Sequence, residues 1–99
     1  MGPVVSWLLR FSSGVEKDLR RIDHHESRFI LHSLEQFASD FSERYEYELM
    51  RCGKVKALSG EWDGYYRLRL RSYRAIYKKY NETLVILVVR IAHRKDVYR

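Results

Sequence analysis

The 99-residue chain has a single cysteine, no long apolar run and few acids in its second half. With Cys52 alone, no internal disulfide can form, which excludes a disulfide-stapled secreted scaffold. Cys52 has no CxxC partner and reads as a free thiol in a reducing cytoplasm. The longest apolar run is Leu84–Val89, far short of the ~20 residues needed to span a bilayer. Met1-Gly2-Pro3 lacks the basic and hydrophobic stretches of a signal peptide, so residues 1–3 read as a lead-in and no membrane partner is expected. Residues 51–99 hold only Glu61, Asp63, Glu82 and Asp96 as acids, scattered over three segments. A two-metal nuclease needs converging oxygen ligands, so that class is disfavoured, and no metal or cofactor is expected.

What is present supports one folded domain over residues 1–99. The chain is 45% hydrophobic and 32% charged, with a net charge of +6, unlike the composition of disordered chains. The charge is divided: residues 1–50 carry −3 and residues 51–99 carry +9. That asymmetry fits a one-sided binding face, or simply a solvated basic surface.

Val4–Phe11 reads as a first strand. Ser13 followed by Glu16 has capping-box spacing and opens a helix to about Arg21; Asp23 and Glu26 repeat the signal. The next helix, from about His24 to at least Ala38, carries Phe29, Ile30, Leu34, Phe37, Ala38 and Phe41 on one stripe. Residues 42–52 have a weaker helical pattern that Gly53 could close. Ser59–Gly64 is a loop, followed by strands Tyr65–Leu70, Tyr73–Tyr80 and Thr83–Ala92. The apolar run in the last implies burial on both faces and a central position. This order predicts an α+β fold: a curved antiparallel sheet, made of the N-terminal strand and a C-terminal three-strand meander, packed against two or three N-terminal helices.

The meander carries the functional signal. Arg67, Arg69 and Arg71 alternate with Leu68 and Leu70, so strand periodicity puts three guanidinium groups on one side. They repel one another unless an anion lies there, and a phosphate backbone is the natural candidate. Residues 91–99 leave the central strand beside this hairpin, gathering Arg67, Arg69, Arg74, His93, Arg94 and Tyr98 into one candidate site. RNA suits such a site because its 2′-hydroxyl can attack the adjacent phosphorus without a metal. Arginines stabilise the resulting charge, while His93 or Tyr98 can carry protons. Lys54, Lys56, Arg71, Lys78 and Lys95 are candidate RNA or rRNA contacts. Tyr65, Tyr66, Tyr73, Tyr77 and Tyr80 could stack on bases, although aromatic residues also suit strand packing.

With these residues in hand, the chain resembles the RelE/ParE superfamily of bacterial toxins from Trp7 to Tyr98. The resemblance lies in Phe11–Leu19, Val55–Gly60, Gly64–Arg69, Tyr73–Tyr77 and, for the RelE branch in particular, His93–Tyr98. It implies a microbial RNase-like fold and an mRNA interferase that cuts mRNA in the ribosomal A site by metal-independent 2′-hydroxyl attack. It further implies Arg67 and Arg69 as substrate contacts, Arg74 as transition-state stabiliser, Arg94 as acid or phosphate ligand, and Tyr98 as base, with His93 sharing acid–base duty. The implied partners are a cognate antitoxin, the ribosome and mRNA, with promoter DNA reached only through the antitoxin complex. ParE-like members, which poison DNA gyrase without cutting RNA, are the alternative.

Overall fold

The computed structural model describes residues 6–96. Three helices, α1 (Ser13–Arg20), α2 (His24–Asp40) and α3 (Glu43–Arg51), cover one face of a five-stranded sheet. The strands are β1 (Leu8–Phe11), β2 (Val55–Ala57), β3 (Tyr66–Leu70), β4 (Tyr73–Tyr80) and β5 (Val85–His93), in spatial order β1-β5-β4-β3-β2. β5 is an interior strand between β1 and β4, but β4 holds the middle of the sheet, so the central position expected for β5 is corrected. The sheet is mixed rather than wholly antiparallel, because β1 runs parallel to β5. Helices and strands separate β1 from β5 in the chain, so β1 can lie alongside β5 in either direction, and no hairpin dictates which. β2 was not predicted as a strand; three residues show too little alternation to register.

Local chemistry explains the helix ends. Asp23 caps α2 by accepting from the His25 N–H at 3.1 Å, and Ser42 caps α3 by accepting from the Tyr45 N–H at 3.0 Å. α3 ends in a Schellman arrangement: Gly53 N–H bonds the Met50 carbonyl, Lys54 N–H bonds the Leu49 carbonyl, and Gly53 takes a φ of 83°. The capping box expected at Ser13 does not form. Ser12 occupies the N-cap without a side-chain cap bond, and its hydroxyl instead donates to the Val89 carbonyl at 3.1 Å. Asp18 accepts the Ile91 N–H at 2.9 Å. Beyond the end of the short β1, Ser12 and Asp18 thus occupy edge groups of β5 that no strand reaches.

The core lies between helices and sheet. Val15 of α1 and Ile30, Leu34, Phe37 and Ala38 of α2 pack with Leu68, Leu70, Ala75, Tyr77, Ile86, Val88 and Ile91. Only one face of β5 is fully buried: Ile86 and Val88 are enclosed, whereas Val85, Leu87 and Val89 are half-buried, so burial on both faces is corrected. A bulge interrupts β5. Ile76 pairs with Arg90 but Tyr77 pairs with Val88, leaving Val89 as the extra residue. The core positions therefore shift from Ile86 and Val88 to Ile91, changing the parity of the strand.

Candidate functional site on the open sheet face

The strands contain no Asp or Glu. On the face away from the helices, alternation and register set Lys56, Arg67, Ile76 and Arg90 in one row, and Arg69, Arg74 and Ala92 in the next. Arg69 and Arg74 are direct cross-strand partners. Like charges placed opposite destabilise a sheet by a few tenths to about 1 kcal/mol, so the pairing has no account in packing.

The guanidinium groups are held unequally. Arg67 donates from Nη2 to the Gly53 carbonyl at 2.7 Å, which ties β3 to the loop after α3. Arg74 donates from Nη1 to the carbonyls of Tyr73 and Arg71, at 3.1 and 3.3 Å. Arg69 is exposed and makes no side-chain ion pair or hydrogen bond among the described residues. Ile76 is fully buried although it belongs to this face; it sits in register between Arg67 and Arg90, whose Nε atoms are buried as well.

The sequence-predicted set is only partly brought together. Arg67, Arg69 and Arg74 converge. Arg94 follows β5 and its backbone N–H donates to the Ser72 carbonyl at 2.8 Å, placing it beside the β3–β4 turn that Arg74 also contacts. Arg71 departs from the expected row. Its φ of 59° turns the chain at the hairpin tip, and its guanidinium stacks 3.6 Å from the Phe29 ring centroid and lies 3.9 Å from Glu26 of α2. His93 is on the helix side: it pairs with Tyr73, meets that ring edge-on at 5.6 Å, and lines a cavity with Asp18, Arg21 and Ile22. The bulge is the cause, because one extra residue in β5 reverses the face of everything after it. Tyr98 lies outside the described residues. Lys54, Lys56 and Lys95 are exposed, and Lys78 projects from the open face between two tyrosine rings.

Charge on the helix face is handled in the opposite way. Glu46 of α3 is the buried charged residue among those described. Its carboxylate accepts from the Tyr77 hydroxyl and from Lys79 Nζ, the latter at 2.6 Å. Burial pushes the Tyr77 phenol well above its ordinary range, helped by the adjacent Glu46 carboxylate. Burial pulls Lys79 down, but the Glu46 hydrogen bond and charge outweigh it and hold the ammonium above its usual value. The Lys79 ammonium also lies 4.7 Å from the Tyr66 ring centroid. This network fastens α3 to β4. Among the described residues, no three His, Cys, Asp or Glu side chains converge into a metal site, and no helix is long and apolar enough to cross a membrane.

The sequence profile described as "ParE toxin of type II toxin-antitoxin system, parDE" matches residues 9–98. The chain belongs to the ParE toxin family. Solved structures of RelE-type toxins share its fold. A chain of the RelBE2 toxin–antitoxin complex from Mycobacterium tuberculosis is 26% identical with a TM-score of 0.63, covering 91% of this chain and 100% of that one. A chain of the archaeal RelE–RelB complex from Pyrococcus horikoshii is 23% identical with a TM-score of 0.68, covering 94% and 100%. Free Escherichia coli RelE, as a double arginine-to-alanine mutant, is 16% identical with a TM-score of 0.64, covering 95% and 90%. No curated protein matches the chain. The protein is thus a type II toxin of the RelE/ParE superfamily. In this toxin the open face also holds Arg90, which sequence reading missed; strict alternation from Ile86 and Val88 assigns it to the core face, and only the bulge moves it.

Proposed function

We propose that this toxin is a ribosome-dependent endoribonuclease that cuts mRNA in the A site. The observation that carries the reading is the direct pairing of Arg69 with Arg74 on a face whose strands hold no carboxylate. Two opposed guanidinium groups suit a phosphate that gains charge as the reaction proceeds, because each can fork onto its oxygens and neither loses its proton near neutral pH.

In the proposed reaction a base takes the proton of a ribose 2′-hydroxyl. The 2′-oxygen bonds to the adjacent phosphorus and the bond to the 5′-oxygen breaks. The leaving oxygen is protonated, giving a 2′,3′-cyclic phosphate and a 5′-hydroxyl. Arg69 and Arg74 stabilise the pentacoordinate transition state, Arg67 positions the strand, and Arg94 supplies a further cation from beside the β3–β4 turn. Tyr98 is the proposed base. His93 is withdrawn from acid–base work because it faces α1, across the sheet from the arginines. Lys56 and Lys78 extend the phosphate contacts, and Lys54 and Lys95 flank them. The reaction uses no metal or cofactor. Two of the solved relatives are chains of toxin–antitoxin complexes, which supports a cognate antitoxin as inhibitor, promoter DNA being reached through that complex in the cytoplasm.

The test is primer extension on a defined mRNA, with and without ribosomes carrying an open A site. Cuts should appear only with ribosomes and fall about 10²- to 10³-fold in Arg74→Ala, the size of loss that removing one preorganised charge stabiliser gives. Intact mRNA in both conditions would overturn the reading. It would favour gyrase inhibition, which the match to the ParE profile supports, and DNA supercoiling would then be assayed.

A further inference from the structure

The open face changes character along its strands. Toward the β3–β4 turn it is guanidinium; toward the opposite end it is aromatic. Tyr65 stands just ahead of β3, and Tyr80 ends β4. Lys78 Nζ lies 5.5 Å from the Tyr65 ring centroid and 5.6 Å from that of Tyr80. Trp62 meets Tyr65 edge-on, with centroids 5.4 Å apart. A cavity of about 280 Å³ lined by Lys56, Leu58 and Trp62 opens alongside. Tyr80 keeps 42% of its surface exposed. The other sheet tyrosines differ: Tyr66, Tyr73 and Tyr77 all turn into the helix-side core.

We propose that Trp62, Tyr65 and Tyr80, grouped around Lys78, form a base-stacking subsite for single-stranded RNA that continues the arginine rows. The proposal rests on the nuclease reading and adds to it where the strand runs. A cation set among accessible rings, here the exposed Tyr80 and the half-buried Trp62 and Tyr65, is the combination that holds single strands: the ammonium takes a phosphate and the rings take bases of any sequence. Bases inside a duplex are already stacked, so the subsite selects unpaired RNA. Tyr65 is two residues from Arg67 and Lys78 is four from Arg74. At about 3.4 Å per residue these are gaps of about 7 and 14 Å along the strands, short enough for neighbouring nucleotides of one strand to occupy both ends. The acids at this end lie off the strands, Glu61 in a single 3₁₀ turn (Gly60–Trp62) and Asp63 and Glu82 in turns, so nothing on the strands between the rings and the arginines repels a phosphate.

The experiment is a titration of the full chain with a 2′-O-methyl oligouridylate of about ten nucleotides, within the range of single-strand site sizes, followed by tryptophan fluorescence. The blocked 2′ position prevents cleavage, so binding is read whether or not the protein is a nuclease. Trp7 packs against Phe41, centroids 4.7 Å apart, on the helix side, so quenching that disappears in Trp62→Phe reports this patch. Tyr80→Ala should weaken binding about 5- to 100-fold, the effect of one lost stacking partner, with an unchanged salt slope. Tyr80→Phe should bind like the parent, and Lys78→Ala should flatten the slope by about one phosphate contact. Thermal melting of each variant checks folding. Unchanged affinity in Tyr80→Ala and in Tyr65→Ala would overturn the proposal, as would equally tight binding of duplex RNA. Loss of antitoxin binding with RNA affinity intact would also overturn it and assign the patch to a protein partner. Absence of ribosome-dependent cutting would sink the nuclease reading while leaving this binding result to stand or fall by itself.

Discussion

The two faces of the sheet treat charge oppositely. On the helix side a single carboxylate, Glu46, is buried and both its oxygens are used, by Tyr77 and Lys79. On the open side Arg69 and Arg74 face each other with no acid on any strand to offset them. One face satisfies its polar groups and gains a fixed position for α3. The other sets two guanidinium groups directly opposite each other, an arrangement that suits a polyanion lying across them. Folding and binding thus occupy opposite sides of the same few strands.

Substitutions can break this contrast. The largest effect should come from Glu46→Ala, which leaves the Lys79 ammonium and the Tyr77 hydroxyl without their acceptor. Removing one member of a buried pair costs about 3–5 kcal/mol, and chemical denaturation should show it. The folded fraction should still bind RNA like the parent; a specific loss of RNA affinity would mean the two faces are coupled.

The same network predicts an alkaline limit. Tyr77 and Lys79 both hold their protons more tightly when folded than when unfolded. Groups with raised folded pKa values stabilise fully below their unfolded values, about 10 for both, and that stability is lost as pH rises through the folded values. The melting temperature should therefore fall with a steeper slope above pH ~10. Tyr77→Phe should remove part of that slope, and an unchanged slope would exclude Tyr77 as a source.

His93→Ala sharpens the comparison from the helix face. With His93 packed on Tyr73, its loss should lower cleavage less than about tenfold and leave the limbs of the pH–rate profile in place, because a residue off the reacting face gives no titrating limb. A vanished limb would return His93 to the chemistry. The smallest effect is a gain: Arg69→Thr should stabilise the free protein by about 0.2–1 kcal/mol in low salt, while weakening RNA binding. Destabilisation instead would show that Arg69 serves the fold.

Much of this architecture was legible in the chain because the signals are local. The α2 stripe follows from side chains three and four apart, and the closure of α3 at Gly53 follows from a residue tolerant of positive φ. The β3–β4 hairpin and the interior β5 follow from alternation and from one apolar run. Arg67, Arg69 and Arg74 share a face because β3 and β4 are uninterrupted where they pair and joined by two residues.

Where alternation had to be carried past a bulge or across a turn, it failed. Arg71 needed the positive φ at the hairpin tip before Phe29 and Glu26 could receive it. His93 and Arg90 changed faces because Val89 is an extra residue opposite β4, and a bulge is a property of two strands in register. The direction of β1 and the pairing of β2 were likewise set by strands elsewhere in the chain. By itself the sequence determined the helices and every strand but β2, and that the C-terminal half is cationic, since these depend on neighbouring residues and composition. Only the tertiary structure decided which cations share a face, because register between distant strands, not spacing along one of them, sets that.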